Sequence, residues 1–159
     1  MHPDYNEDTS ADDFLLVKLD TPINSITPVQ LNDNPSRPGL ITINRENSQN
    51  PEDRQIQVGE ILTVIGFGVL AEGDTEMAST MQEAFVPYIS YEDCQAWYSN
   101  EAIDVQTMFC AGYQNGGVDA CQGDSGGPIL NEDGIVVGVV SWGQGELCCI
   151  FKKAMLGVG

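Results

Sequence analysis

The chain has 159 residues, a length that predicts one domain, and its 42% hydrophobic content argues against a disordered polyanion. Its 24 acidic and 6 basic residues give a formal net charge of −18 at pH 7. Such a chain lacks the basic footprint that nucleic acids require, and anionic membrane surfaces would repel it, so both classes of partner are excluded.

The N-terminal part of the chain is acidic and rich in turn residues. It carries neither the basic nor the apolar region of a signal peptide, and no stretch of the chain approaches the ~20 apolar residues of a membrane span. The acidic stretch Asn6–Asp13 misses the spacing of a calcium-binding loop, so we expect a solvated loop there. Phe14–Leu19 is an apolar run that predicts a strand. The proline-rich stretch Asp20–Gln57 predicts a surface connector, with one short strand near Val29–Leu31.

Short apolar runs rich in Val, Ile and aromatic residues dominate the rest of the chain, and each predicts a β-strand. These runs are Ile61–Phe67, Ala84–Ile89, Met108–Gly112 and Ile135–Trp142. The last run is almost continuously apolar, which is typical of a strand buried on both faces. Ser90-Tyr-Glu-Asp93 is a capping box that predicts a short helix through about Tyr98. Many short strands separated by turn residues predict an all-β barrel or sandwich.

The glycine-rich turn Gly116–Pro128 contains the most specific pattern, Cys121-Gln-Gly-Asp-Ser-Gly-Gly-Pro128. A Ser between glycines sits on a tight turn with its side chain exposed, and the backbone N–H groups of Gly123 and Ser125 can then converge on one point. Two donors aimed at one point form an oxyanion hole, which stabilises the charge that develops during acyl transfer. An ordinary β-turn with an exposed Ser is the alternative that the chemistry alone leaves open.

The string Cys121–Pro128 resembles the nucleophile motif of the trypsin-like serine proteases, the S1 family of the chymotrypsin clan. Further stretches resemble other motifs of that family, in the family's order. They are His2-Pro-Asp-Tyr-Asn6, Asp13–Leu19, Val64-Ile-Gly-Phe-Gly68, Val86-Pro-Tyr-Ile-Ser90 with Cys94, Met108–Gly112 and Ser141-Trp-Gly143. The resemblance covers roughly residues 1–145. It implies a serine endopeptidase, a hydrolase of peptide bonds, whose fold is an all-β chymotrypsin-like double barrel.

The resemblance also implies an organisation and a setting for the chain. Residues 1–35 correspond to the tail of the first barrel with the strand of the catalytic Asp, 36–58 to the connector between barrels, and 59–159 to most of the second barrel. It implies polypeptide substrates, protein inhibitors of proteases as further partners, a monomer, and secretion from the cell. It implies no cofactor and no metal, since the family's calcium loop would lie upstream of Met1.

Roles for individual residues follow from the same resemblance. Ser125 corresponds to the nucleophile, Asp13 to the carboxylate that orients the general base, and the N–H groups of Gly123 and Ser125 to the oxyanion hole. Asp119 corresponds to the floor of the specificity pocket, where a carboxylate selects Arg or Lys through a charge-assisted pair. For Asp13 and Asp119, the alternative is an ordinary acidic residue in a loop.

The segment Ser141, Trp142 and Gly143 corresponds to the edge that pairs with an extended substrate as an added strand. Gly143 would leave the mouth of the specificity pocket open. Trp142 fits an ordinary core position equally well, and we expect it both to pack in the core and to line the substrate-binding edge.

The odd number of cysteines, 5, leaves one unpaired if the others form disulfides. The family's pairing joins Cys94 to Cys110, and Cys121 to Cys148 or Cys149. The alternative is a set of reduced, buried thiols, but the spacings follow a secreted family.

Three features depart from the family's pattern. The only histidine, His2, matches a structural position, so no general base is present and Ser125 alone is a poor nucleophile. No Ile-Val-Gly-Gly string supplies the amino terminus that would pair with Asp124, so we expect Asp124 to be left without its cation and the oxyanion loop to be poorly set, because a buried unpaired charge is costly. The tail Glu146–Gly159 replaces the family's closing strand and helix, as a frameshift, a retained intron or an early stop would do.

These departures leave three hypotheses for the chain. It is an incomplete copy, at both ends, of a trypsin-like endopeptidase that prefers Arg or Lys and is inactive as given. Alternatively, it is a non-catalytic protease-like module that captures peptides, or a degenerate fragment. The presence of Ser125, Asp13 and Asp119 together favours the enzyme family, because a pure binding module has no chemical need for all three.

Overall fold

The computed structural model describes residues 2–31, 56–71, 73–99, 103–104 and 107–143, and the backbone of residues 153–154. Within these ranges an antiparallel sheet of six strands is accompanied by one short helix, α1 (Tyr91–Trp97). The strands are β1 (Ile61–Gly66), β2 (Gln82–Ile89), β3 (Cys110–Ala111), β4 (Pro128–Leu130), β5 (Val136–Val140) and β6 (Lys153–Ala154). Their order across the sheet is β3-β2-β1-β4-β5-β6. The prediction of an all-β fold is confirmed.

The β1–β2 hairpin lies at the centre of the main core. The two strands pair in one register along the whole of β1, and β4 pairs with the other edge of β1. Leu62 and Val86 stand opposite each other on the ladder and are fully buried, whereas the next residue, Ile61, is exposed. Burial of one such side chain stabilises the fold by about 1.5–3 kcal/mol. The alternation along the strands therefore places one face of the sheet inside.

The helix α1 belongs to a second, smaller cluster. Ser90 caps the helix: its Oγ accepts the N–H of Asp93 at 3.0 Å and donates to the Asp93 carboxylate at 2.8 Å. The predicted helix start is thus confirmed, and a cap of this kind contributes about 1 kcal/mol. A disulfide joins Cys94 in α1 to Cys110 in β3, the pairing that the family resemblance implies. It ties the helix to the edge of the sheet.

The predicted strand Phe14–Leu19 is wrong: this run is irregular in the structure. Leu15, Leu16 and Val17 are exposed. None of the described residues offers this run a neighbouring strand, and backbone groups in an extended run need such a partner to form a ladder. Farther along, the predicted short strand at Val29–Leu31 is reduced to a single bridge between Leu31 and Val136.

Two strands escaped prediction. β4 has three residues and begins with Pro128, so it shows no alternation, and β6 lies in the tail that departs from the family pattern. Most of the predicted connector at 36–58 lies outside the described residues. In the described ranges, no helix is long and apolar enough to cross a membrane.

Candidate active site

The nucleophile loop, residues 121–127, connects the core to β4 through two tight turns. The N–H of Asp124 donates to the Cys121 carbonyl at 2.9 Å, and the N–H of Gly127 donates to the Asp124 carbonyl at 2.8 Å. The loop is also tied to β5, because the Gly126 N–H donates to the Val140 carbonyl at 2.8 Å. Ser125 lies between these anchors with its side chain exposed. The arrangement presents the Ser125 hydroxyl to solvent on a fixed backbone.

The loop that carries the Ser125 hydroxyl also contains two backbone N–H groups of interest, those of Gly123 and Ser125. Neither the Gly123 nor the Ser125 N–H donates a hydrogen bond to any residue that the structure describes. The Gln122 carbonyl accepts the N–H of Val69 at 2.9 Å. Because carbonyl and N–H point in opposite directions across a trans peptide, this bond turns the Gly123 N–H away from Val69. Gly123 has φ +96°, a conformation that a glycine adopts without strain.

The carboxylate of Asp124 is held by the backbone. One oxygen accepts the N–H of Gly68 at 2.8 Å, and the other accepts the N–H of Cys121 at 2.8 Å. A Cβ on Gly66 or Gly68 would collide with this carboxylate, so the two glycines make the space it occupies. The two backbone N–H groups hydrogen-bond the carboxylate and so partly compensate its charge.

Asp13 reaches the same end of β5 from the N-terminal region. The hydroxyl of Ser141 donates to the Asp13 carboxylate at 2.6 Å. Ser141 directly follows Val140, whose carbonyl holds the nucleophile loop. The structure therefore brings Asp13, Ser141 and the nucleophile loop together at the end of one strand. Trp142 packs edge-on against Tyr98 at 5.6 Å between ring centroids, which gives it the core contact that the sequence left open.

Asp119 lies two residues before the nucleophile loop. It lines a pocket of about 240 Å³ together with Asp124, Gly68 and Glu83, and residues 141–143 do not line this pocket. Burial raises the pKa of Asp119 to about 8, an effect that a hydrogen bond from the Ala120 N–H partly offsets. The pocket thus holds the two carboxylates that the resemblance assigns to specificity and to activation.

The remaining predicted residues have structural surroundings. The ring of His2 packs on Phe14 at 4.6 Å between centroids, and its Nδ1 accepts the N–H of Asp4 at 3.3 Å. His2 is thus held in a turn of the N-terminal region. Cys121 is buried beside the nucleophile loop, and its predicted partners Cys148 and Cys149 lie outside the described residues. No group of three or more metal-binding side chains occurs among the described residues.

Sequence reasoning missed the backbone groups that build the site. Gly68 and Val69 donate to the nucleophile loop, and Gly66 leaves room for the Asp124 carboxylate. The string Gly66-Phe-Gly68 was the available signal, but a glycine pattern does not show which distant carboxylate will approach it.

Comparisons with known proteins give a consistent result. The family model described as Trypsin matches residues 1–149. Trypsin 5G1 of Aedes aegypti is 34% identical over 147 residues, covering 91% of this chain and 48% of that protein. Coagulation factor XII of Sus scrofa is 36% identical over 154 residues, covering 91% of this chain and 23% of that protein. The chain spans about half the length, or less, of these curated relatives.

A solved structure also matches. Neuropsin, a serine protease expressed in the limbic system of mouse brain, superposes with a TM-score of 0.70 at 27% identity. The match covers 96% of this chain and 63% of that chain.

Proposed function

The chain belongs to the trypsin family of serine proteases, and from that premise we propose that it carries the nucleophile half of an endopeptidase site that cleaves after Arg or Lys. The observation that carries the proposal is the exposed Ser125 beside two backbone N–H groups, on Gly123 and Ser125, that no described residue accepts. The family acts on polypeptides, so the substrate class is a peptide bond.

The proposed reaction is acyl transfer. The Ser125 Oγ attacks the scissile carbonyl carbon, the carbonyl oxygen gains negative charge, and the N–H groups of Gly123 and Ser125 stabilise it. Loss of one such donor costs about 10²–10³-fold in rate in proteases of this kind. Water then hydrolyses the acyl-enzyme and frees Ser125.

The proton of Ser125 needs a general base, and these 159 residues contain none in reach because His2 is held in its own turn. Asp13 is proposed to orient that base, and the hydrogen bond from Ser141 to its carboxylate supports this role. We infer that the 159 residues alone hydrolyse peptides at most feebly, and that an active protein takes its base from residues outside them.

The preference for Arg or Lys rests on Asp119. Its pKa of about 8 reflects a half-buried carboxyl group that forms no ion pair with any residue that the structure describes. A substrate guanidinium or ammonium group would lower that pKa and form a charge-assisted pair. Ser141, Trp142 and Gly143 are proposed to pair with the substrate backbone, as in the family.

Asp124 is proposed as the activation-linked residue. It lines the pocket that also holds Asp119 and Glu83, which suits a positively charged group entering from outside. We further propose that the chain is divided into residues 1–35, 36–58 and 59–159, as the family resemblance implies. The protein is proposed to be monomeric and secreted, with Cys121 in a second disulfide. The Cys94–Cys110 disulfide supports secretion, because such bonds persist in oxidising compartments.

The test is cleavage of matched peptides that differ only in Arg, Lys, Leu or Glu before the scissile bond. We expect the native protein from its source to cleave after Arg and Lys, Ser125→Ala to abolish cleavage, and the isolated 159 residues to show none. Asp119→Ser is expected to remove the preference while leaving Ser125 intact. Binding of the peptides by the native protein without cleavage would overturn the enzyme and support the peptide-capturing module.

A further inference from the structure

We propose that Met77 is a positioning residue for the oxyanion hole: its side chain holds Gly123 in place, and oxidation of its sulfur by a peroxide lowers catalysis. The proposal rests on the proposed function, because it names a residue and a mode of regulation for the same site. Met77 lies in the segment between β1 and β2, outside every motif that the sequence pointed to.

The contact that carries the proposal is at Gly123. A side chain added at Gly123 would collide with the Met77 methyl group and would lie 3.6 Å from the Met77 sulfur. It would also lie 3.2 Å from the Gly68 Cα. Met77 and Gly68 therefore occupy the space that a side chain at Gly123 would need, although Gly123 and Ser125 are both exposed to solvent.

The segment that carries Met77 is anchored to the same strand end as the loop. The N–H of Ala78 donates to the carbonyl of Phe67 at 3.1 Å and to that of Gly68 at 3.3 Å. Gly68 in turn donates to the Asp124 carboxylate at 2.8 Å. Met77 thus sits on a frame that is fixed to the residue following Gly123, so its side chain opposes movement of the Gly123 backbone.

The peptide between Gln122 and Gly123 carries the Gly123 N–H, so its orientation decides where this donor points. A bond from Val69 to the Gln122 carbonyl holds this peptide from one side, at 2.9 Å. Rotation of the peptide would withdraw the Gly123 N–H from the oxyanion hole. Glycine at φ +96° has wide conformational freedom, so packing by Met77 is needed to restrict it.

The chemistry of Met77 makes this packing sensitive to peroxide. Its side chain is 60% exposed, so an oxidant in solvent reaches the sulfur. The sulfur lone pair attacks a peroxide oxygen, an S–O bond forms, the O–O bond breaks, and water leaves. The sulfur is oxidised by two electrons and the peroxide is reduced by two. The sulfoxide is polar and no longer packs against an apolar Cα, and reductases specific for methionine sulfoxide reverse the change.

Two other methionines provide matched controls. Met81 lies in the same segment and is 59% exposed, but the three atoms nearest to a side chain added at Gly123 belong to Met77 and Gly68. Met108 is 3% exposed and is shielded from the oxidant. Oxidation of Met81 therefore measures the effect of oxidising an exposed methionine elsewhere in the segment, and oxidation of Met77 measures the effect beside the oxyanion loop.

The first experiment treats the native protease with hydrogen peroxide and follows the sulfoxide at each methionine by peptide mass spectrometry. We expect kcat to fall about 10-fold in step with Met77 sulfoxide, with KM nearly unchanged, a part of the 10²–10³-fold cost of losing a donor outright. Sulfoxide reductase restores kcat. Met77→Leu, which keeps the packing but has no sulfur, resists peroxide, whereas Met81→Leu is inactivated like the parent. Equal inactivation of Met77→Leu and the parent would overturn the proposal.

The second experiment needs no catalysis and separates this inference from the proposed function. Labelling the carbonyl carbon of Gln and the amide nitrogen of Gly selects only the Gln122–Gly123 and Gln144–Gly145 amides in the NMR spectrum, and Gln144→Ala distinguishes them. The Gly123 amide should shift on Met77 oxidation and in Met77→Ala, but not in Met81→Ala. An unmoved amide overturns the inference even in an active protease. A shifted amide in a protein that cleaves nothing supports the contact and counts against the proposed function.

Discussion

The segment Phe14–Leu31 and the β1–β2 hairpin contain the same kinds of apolar residue in opposite environments. Leu16 and Val17 expose 78% and 73% of their surface, whereas Leu62 and Val86 expose 0%. The hairpin residues are buried because each strand of the pair satisfies the backbone of the other, and β4 covers the second edge of β1. A core therefore forms where apolar side chains also have backbone partners, and apolar composition alone does not produce one.

The proposed site draws on both regions. The nucleophile loop is anchored to the packed sheet through Val140 and Gly68, while Asp13 lies at the border of the exposed segment. A hydrogen bond from Ser141 to Asp13 joins the two regions. In the proposed site, the positioning of a general base would thus depend on the less packed region, and the oxyanion hole would depend on the packed one.

The sharpest test of the contrast replaces one leucine in each region. Leu62→Ala removes fully buried methyl groups, and the free energy of unfolding should fall by about 2–5 kcal/mol. Leu16→Ala removes the same atoms from an exposed site and should change it by less than about 0.5 kcal/mol. Urea titration of this chain, followed by circular dichroism, measures both. Equal losses would show that the two regions do not differ as described.

The link between the regions can be measured by a double-mutant cycle. Asp13→Ala and Ser141→Ala each remove one partner of the 2.6 Å hydrogen bond, and the double variant removes both. We expect a coupling of about 0.5–3 kcal/mol in the free energy of unfolding. Strictly additive single effects would mean that the bond does not hold the N-terminal region to the sheet.

The helix cap gives a smaller effect confined to the packed region. Ser90→Ala removes the oxygen that accepts the Asp93 N–H at 3.0 Å, and the chain should lose about 1 kcal/mol of stability. Ser79, in the exposed segment before β2, is the matched control, and Ser79→Ala should stay within about 0.5 kcal/mol of the parent. Thermal unfolding at one pH compares them, and a loss as large in Ser79→Ala would argue against the cap.

The pH dependence of stability tests the burial of Asp119. Its pKa is about 8 in the folded chain against 3.8 for the free carboxyl group, so the folded state binds the proton more tightly than the unfolded state does. Between about pH 4 and pH 8, this group therefore makes the folded state less stable as the pH rises. Asp119→Asn, which has no proton to lose, should gain stability over the parent across that range and show a constant difference above it. A difference independent of pH would contradict the buried carboxyl.

The sequence predicts the elements that depend on neighbouring residues, but it does not predict contacts between residues that are far apart in the chain. β1, β2, β5 and α1 follow from local signals, namely alternation, β-branched residues and the capping box at Ser90. The absence of a strand at Phe14–Leu19 and the hydrogen bond from Gly68 to Asp124 depend on contacts distant in the chain, since Gly68 lies 56 residues from Asp124. A local pattern names the residues that can act, but only the assembled backbone shows which groups meet.

The site residues divide in the same way. The motif around Ser125 locates the loop and its two donors in advance. The pocket that Asp119 lines, the hydrogen bond between Ser141 and Asp13, and the contact between Met77 and Gly123 come from the packing of segments that no motif describes.

The most direct measurement of the central claim is labelling of the native protein with an arginine-directed phosphonate, followed by peptide mapping of the labelled residue and of both termini. We expect one label, on Ser125, its loss in Ser125→Ala, a histidine-bearing peptide beyond these 159 residues, and no label on the 159 residues alone. A native protein that begins and ends with these residues and takes no label at Ser125 would contradict the claim.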